Sequence, residues 1–422
     1  MKVLEFGGYL GLGGTEKAMS LWSIALKNRG HEVTVLAISS GPRESELRLA
    51  GIEIVTCPWQ VDELSRLIAA IKPDVIHLHG PGLPAEADMI GESVKYLSKI
   101  PIVQTNVFGR LQNPKENAWI DFRLFISWTS CVQAARRSSC PLNEDFFRRA
   151  SVAVYPLSPE NPPAQADVRA FRNQHGVHKD EILFGRLSRP EPNKWTDLSV
   201  QAFRLAARRN PAIKLLLREP PPEVRRQLED AIDRDRFLIL PSTGDPIQLA
   251  LTIASLDAVL HTSSIGESFG YGIAEPMNFG KPVIANSTPW ADQAQIELIR
   301  HGEGGFIAST PRTMASAILK LAGDADLRNK FGINAQQHIR KLADPEESTD
   351  RLEKTLEWAI SGGSNARADE DLQKAQAAAC YLDQHQFGHS LDEQVALRLT
   401  YSKNRFHEWR HSFRRDDASM RS

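Results

Sequence analysis

Glu267 and Glu275 flank a short turn rich in glycine and serine in the stretch SSIGESFGYGIAEPMNFGKPVIA, Ser263 to Ala285. Carboxylates accept hydrogen bonds from neighbouring hydroxyls, and the amides at a helix N-terminus favour a phosphate. A helix beginning at Ser268 or Phe269 would set the amides of Phe269, Gly270 and Tyr271 between the two acids. Were the segment helical throughout, the acids would stand roughly 12 Å apart, the scale of a sugar, a diphosphate and a ribose laid end to end. A capping acid and an unrelated helix-face acid would give the same pattern.

Two cations stand upstream in FGRLSRPEPNKWTDL, Phe184 to Leu198. Arg186 and Lys194 fall where a strand would open at its carboxyl end, and together they could hold a diphosphate and offset the charge that develops on it as it leaves. Solvated surface cations are the alternative. A third candidate is the glycine-rich turn FGGYLGLGGTEKAM, Phe6 to Met19, whose backbone amides at a helix N-terminus suit an anion or a closely approaching polar ligand. It is not a dinucleotide fingerprint: Glu16 occupies the third glycine position after Gly11 and Gly13, and Ile38, Ser39 and Ser40 replace the ribose-binding acid. His77 and His79 alternate on one strand face and could be metal ligands, but no third ligand is evident nearby in the sequence. The expectation is a wall-shaping role and no metal.

These residues need strands to carry them. Short apolar runs predict strands at Val3–Phe6, Glu32–Ile38, Ile52–Thr56, Asp74–Leu78, Ile100–Thr105, Leu124–Ser127 and Ser151–Val154, with helices such as Thr15–Arg29, Val61–Ile71 and Glu86–Leu97 between them. The Pro-rich stretch YPLSPENPPAQAD, Tyr155 to Asp167, reads as a linker. Alternation then resumes with Ile182–Leu187, Ile213–Leu217, Phe237–Leu240, Ala258–His261 and Pro282–Asn286, separated by helices including Asp197–Arg209 and Glu223–Asp233. Two α/β halves, each a doubly wound parallel sheet, would face a cleft, with ligands outside the carboxyl ends of the strands.

Composition narrows the class. The 422 residues are 41% apolar and 24% charged with a net charge of −1, which fits a two-domain globular protein and excludes nucleic acid as the main partner. Four scattered cysteines, the absence of a signal-peptide pattern and the absence of a long apolar run suggest a reduced, cytoplasmic setting. Beyond the helical run Glu346–Ile360 and the break SGGSN lies a tail, in which Leu391, Val395, Leu399, Phe406, Trp409 and Phe413 recur at helical spacing among Arg398, Lys403, Arg405, Arg410, Arg414 and Arg415. Such a basic amphipathic helix could pack on the protein's own surface, or dock on a membrane or in a partner groove.

The E-x7-E motif of Glu267 and Glu275 resembles the signature of family 4 retaining glycosyltransferases, the glycogen-synthase-like group with the GT-B fold. The likeness includes GGTE at Gly13 to Glu16, PDVIHLHG at Pro73 to Gly80, GRL with a following lysine, and GEGGFIA at Gly302 to Ala308. The resemblance implies two Rossmann-like domains, an acceptor-side domain at 1–155 and a nucleotide-sugar domain at 169–345. They would be joined by the linker 156–168, with a helix at 346–362 returning to the first domain and a helical or partly disordered tail at 363–422. It implies that Glu275 binds the ribose, Glu267 a hydroxyl of the donor sugar, and Arg186 and Lys194 the diphosphate, with backbone amides from Phe269, Gly270 and Tyr271. Gly13 and Gly14 would line the floor near the reacting carbon. Transfer would proceed with retention by a front-face route, without metal or other cofactor, from a nucleotide-diphosphate-sugar donor to an acceptor the sequence does not name.

Three departures stand out. Asn106 in IVQTNVFGR takes the place of the family's donor-contacting histidine. The loop containing RPEPN lengthens the spacing from Arg186 to Lys194, and Arg218 and Pro241 replace glycines common near the nucleotide base. A nucleotide-sugar epimerase of the same architecture and a noncatalytic nucleotide-sugar-binding protein are the alternatives, and product analysis separates them.

Overall fold

The computed structural model describes residues 1–57, 60–80, 99–111, 119–188, 191 and 194–404. The expected helix Glu86–Leu97, most of the RPEPN loop and the tail beyond residue 404 lie outside the described residues. The chain divides into two compact units, Met1–Ser158 with Lys341–Cys380, and Pro159–Arg340 with Tyr381–Ser422.

The first unit is built on β1 (Lys2–Tyr9), β2 (Glu32–Ser39), β3 (Glu53–Thr56), β4 (Val75–Gly80), β5 (Ile102–Asn106), β6 (Phe122–Phe125) and β7 (Ala150–Val152). They lie in the order β3-β2-β1-β4-β5-β6-β7, every pair parallel. All six residues of β4 are buried, as a central strand covered on both faces requires. One face packs Leu4, Phe6, Leu36, Ile68, Leu78 and Trp119 into a common core. On the other side, helices Gly14–Asn28 and Pro345–Ser361 meet: the Trp22 indole donates to Ser348 Oγ at 3.0 Å, and Arg29 pairs with Glu346, Asp350 and Glu353. Proline at the first helical position and Asp344 as N-cap start the second of these helices.

The predicted strand Leu124–Ser127 is displaced by two residues. Ser127 has left the strand to cap helix Trp128–Arg137, its hydroxyl accepting from Ser130 N in a reciprocal capping box.

The second unit carries β8 (Ile182–Leu187), β9 (Ile213–Arg218), β10 (Phe237–Leu240), β11 (Ala258–His261), β12 (Val283–Ala285) and β13 (Gly305–Ile307), ordered β10-β9-β8-β11-β12-β13 and again all parallel. Phe184, Phe203, Leu215, Leu260, Ile284, Met314 and Phe331 belong to its core. The strand order reverses direction between β8 and β11, so the loops leaving these two neighbours diverge at their carboxyl ends and leave a crevice there.

The later part of the tail, from Tyr381, belongs to the same unit. Helix 391–404 is held by Glu393, whose carboxylate accepts from Ser309 N at 2.5 Å and from Thr313 Oγ1 at 2.6 Å, and by the buried Leu397. Ahead of it, the rings of His301 and His389 stack with centroids 3.5 Å apart.

Candidate functional site

Arg186 is the last residue but one of β8, and it does not point into water. Its side chain is fully buried. Nη2 donates to the carbonyls of Lys194 at 2.6 Å and Thr262 at 2.8 Å, Nη1 donates to the Thr262 hydroxyl, and the guanidinium lies 4.1 Å from the centre of the Trp195 ring. The guanidinium therefore ties the loop that brings Lys194 to the loop that leaves β11. Burial lowers its pKa to about 9, with Glu267 acting in the opposite direction, so it remains a cation at neutral pH. Its Nε–H finds no acceptor among the described residues. The surface-cation alternative does not hold for Arg186.

Lys194 reaches across to the second loop. Its ammonium donates to Glu267 Oε1 at 2.8 Å and to the Gly266 carbonyl at 3.3 Å. The same carboxylate oxygen lies 3.0 Å from His261 Nε2 at the end of β11. Burial would raise the Glu267 pKa, but the His261 hydrogen bond and the Lys194 charge outweigh it and bring it to about 2. Glu267 is thus a fixed anion with the second carboxylate oxygen still available as an acceptor site.

The backbone around Glu267 is determined by glycine. Gly266 has φ of +64°, and a Cβ there would fall 1.7 Å from the Asp292 carbonyl oxygen. Only glycine fits that approach. Ser263 is fixed to Asn286 by a pair of 2.9 Å hydrogen bonds, and Glu267 N donates to Gln295 Oε1.

The helix begins later than the sequence suggests. It spans Tyr271–Asn278, with Gly270 as N-cap in the left-handed region at φ +98°. Phe269 and Gly270 are therefore turn residues, Tyr271 opens the helix, and Glu267 lies four residues before it, so the continuous-helix spacing between the acids does not apply. Glu275 sits in the helix, half-buried, and within electrostatic reach of Arg218 at the end of β9. Burial lowers the Arg218 pKa, and Glu219 and Glu275 partly restore it.

Arg186, Lys194 and Glu267 thus form one connected constellation in the second unit, with Phe269–Tyr271 following it in the chain. Gly13, Gly14 and Asn106 belong to the first unit. Gly13 is the N-cap of helix Gly14–Asn28, and a Cβ on it would meet the Glu16 carboxylate at 2.1 Å. Asn106 ends β5 and is buried; its amide donates to the Arg110 carbonyl at 2.5 Å and its oxygen accepts from Arg110 N at 3.1 Å. The side chain that replaces the expected histidine thus closes its own loop.

Sequence reasoning missed three contributors. His261 holds Glu267, and its position at a strand end just ahead of the acidic motif was the available signal. Trp195 supports Arg186 and follows Lys194 directly. Glu5 is the third. It faces His77 across the β1–β4 register, with His77 Nδ1 3.1 Å from its Oε1 and His79 Nε2 2.8 Å from its Oε2. All three residues are buried, and their ligand-type atoms lie within 4.8 Å of one another, so the expectation of no third ligand beside the histidines fails. His77 Nε2 also meets Thr105 Oγ1 at 2.7 Å, whereas His79 Nδ1 has no partner among the described residues. Hydrogen bonds to the carboxylate engage both rings and make the three residues one buried polar network.

Residues 167–338 match the family model described as Glycosyl transferases group 1. Solved structures of similar fold include Anabaena HepE in complex with UDP and glucose, at 19% identity over 85% of this chain and 99% of that one, TM-score 0.70. A glycosyltransferase from Rickettsia africae ESF-5 aligns at 15% identity over 85% and 98%, TM-score 0.71. Sucrose-phosphate synthase from Thermosynechococcus elongatus aligns at 15% over 86% and 100%, TM-score 0.67. No curated protein sequence matches the chain.

Proposed function

We propose that this chain, which has the GT-B fold and whose residues 167–338 match the group 1 glycosyl transferase model, is a glycosyltransferase that moves a sugar from a nucleotide-diphosphate donor to an acceptor with retention of configuration and without a metal. The observation that carries the reading is the connection of Arg186, Lys194 and Glu267 where β8 and β11 diverge. It places two cations and an ionised acid on adjoining loops. Complexes of the similarly folded Anabaena protein contain UDP, which agrees with a nucleoside diphosphate as the donor's leaving part.

In this reading Glu275 accepts from the ribose hydroxyls, and Glu267 accepts from a hydroxyl of the sugar through the oxygen not engaged by Lys194 and His261. The diphosphate is drawn to Lys194 and to the turn at Phe269–Tyr271. As the bond from the sugar to the diphosphate breaks, negative charge accumulates on the leaving oxygens, and a cation already fixed in place stabilises it without reorganising. Arg186 contributes a permanent positive charge and keeps the Lys194 loop in position. The acceptor is proposed to bind the first unit.

The two acids give a test. Glu275→Gln is expected to weaken binding of free nucleoside diphosphate by roughly ten-fold or more, as loss of a charge-assisted hydrogen bond implies. Glu267→Gln should leave that affinity nearly unchanged and impair the intact donor. Calorimetric titration of both variants with UDP, then with UDP-sugars, reads the difference, and equal losses toward UDP would contradict the assigned order. Product analysis on a panel of nucleotide sugars separates transfer from epimerisation.

A further inference from the structure

The second unit buries another arginine at a strand end, and one of its donors is unmatched. Arg218 closes β9 and is 9% exposed, yet its Nη1–H has no acceptor among the described residues. A buried cation that leaves a donor unmade is costly, so its presence in the fold calls for a reason. The next residue, Glu219, has a φ of +44°, in the left-handed region that residues other than glycine rarely adopt. Two unfavourable features thus stand side by side at one strand end, as they do where a ligand is held.

Register fixes the face on which Arg218 lies. It pairs with Leu187 of β8 and Leu240 of β10, whereas Arg186 pairs with Leu217, so the two arginines occupy opposite faces of the sheet. Val259 of β11 pairs with Gly185, which puts His261 on the face of Leu187 and Arg218. Helix Tyr271–Asn278 covers that face, since a Cβ on Gly272 would come within 3.1 Å of the Leu187 carbonyl oxygen and 3.7 Å of the His261 ring. Glu275 belongs to this helix, and its charge reaches Arg218. The strand order β10-β9-β8-β11 sets Arg218 two strands from the loop that carries Glu267, with Arg186 on the strand between them. At about 4.8 Å per strand the separation is roughly 10 Å, enough to seat a diphosphate between the two ends.

We propose that Arg218 reads the base of the donor: its Nη1–H donates to a carbonyl oxygen where uracil and guanine carry one, beside the ribose that Glu275 holds. The inference rests on the donor reading given above. Arginine has donors and no acceptor, so it matches that carbonyl and mismatches the amino group that cytosine and adenine present at the corresponding position. The base is its target rather than the diphosphate, because Lys194 and the turn at Phe269–Tyr271 lie at the ends of β8 and β11 and Arg218 stands beyond them.

Calorimetric titration of the full chain with UDP against CDP, and with GDP against ADP, compares bases of equal size. The parent should bind the carbonyl member of at least one pair roughly ten-fold more tightly, or better. Arg218→Met should bring that ratio close to one, and Arg218→Lys should restore part of it. Glu275→Gln should weaken all four ligands and keep the ratio, because the ribose is common to them. Arg218→Met should also unfold at the parent's temperature or above, since it removes an unmatched buried donor. Equal affinity of the parent for both members of each pair would overturn the proposal. So would an Arg218→Met variant that weakens all four ligands alike, which would put the guanidinium on the phosphates or behind Glu275. A lower unfolding temperature with an unchanged ratio would make Arg218 a structural residue. Failure of the parent to bind any of the four would overturn the donor reading as well, whereas losses in Glu275→Gln beside an unchanged ratio in Arg218→Met would overturn this inference alone.

Discussion

Replacing Arg186 with alanine is expected to lower the rate of sugar transfer at saturating donor by two to three orders of magnitude, the equivalent of the roughly 2.7–4 kcal/mol lost with a preorganised charge stabiliser. From sequence alone the variant would be expected to fold normally. The buried position changes that. Alanine would leave the carbonyls of Lys194 and Thr262 without their donors, and each unsatisfied buried acceptor costs about 1–3 kcal/mol. Urea unfolding should therefore show reduced stability alongside the loss of rate. Arg186→Lys retains the charge but not the fork, so it should recover part of the rate and little of the stability. Transfer by the alanine variant within ten-fold of the parent would remove Arg186 from the reaction and leave it a structural tie.

The second large effect belongs to Glu5. Its carboxylate is buried, accepts from two buried histidines, and has its pKa brought to about 2: burial pushes it upward, and the partnership with His77 and His79 more than reverses this. Glu5→Ala should destabilise the first unit by roughly 2–6 kcal/mol, because it leaves two buried imidazole nitrogens without their hydrogen-bond acceptor at about 1–3 kcal/mol each. At about 2–4 °C per kcal/mol the unfolding temperature should fall on the order of 10 °C. A fall of a degree or less would mean that the network carries no stability.

The pH dependence has a definite sign. The folded-state pKa of His79 is lowered to about 4 by burial and the neighbouring His77, despite the opposing pull of Glu5. Both Glu5 and His79 thus bind protons more weakly folded than unfolded, and protonation favours unfolding. The His79 contribution is complete above the ordinary histidine value near 6.5 and is lost as pH falls toward 4. The Glu5 contribution is lost from about 4.5 toward 2. Chelator dialysis should leave the parent's unfolding temperature unchanged, whereas a drop would show a metal among these three residues.

Most of the strand pattern was legible because each strand is a short apolar run bounded by a turn signal. Ile182–Leu187, Phe237–Leu240 and Ala258–His261 are found at the residues expected. Strand β13 escaped because Gly305–Ile307 itself opens on glycine and directly follows the turn holding Gly302 and Gly304, so the sequence reads there as a loop. The helix start was misplaced because Ser268 and Phe269 carry no sign of the left-handed cap at Gly270. At the site, the acids and cations were visible as types and spacings, since chemistry local to a loop is written locally. The partners that define their behaviour were not. Glu5 looks like an isolated acid in KVLEFGG until β4, some seventy positions later, brings His77 beside it. Arg186 reads as a surface cation until Trp195 and Thr262 close around it.

The Glu5–His77–His79 cluster has one more consequence, for how the chain finds its pairing. Leu4 and Phe6 flank Glu5 and belong to the apolar core on the other face of the sheet. A slip of β1 by one residue against β4 would turn the carboxylate into that core and move its leucine and phenylalanine against the histidines. Aliphatic alternation alone tolerates some misregistration, because one leucine substitutes for another. An acid that has two acceptable neighbours in a single alignment does not, so the cluster acts as a proofreading mark for strand register, penalising misaligned sheets.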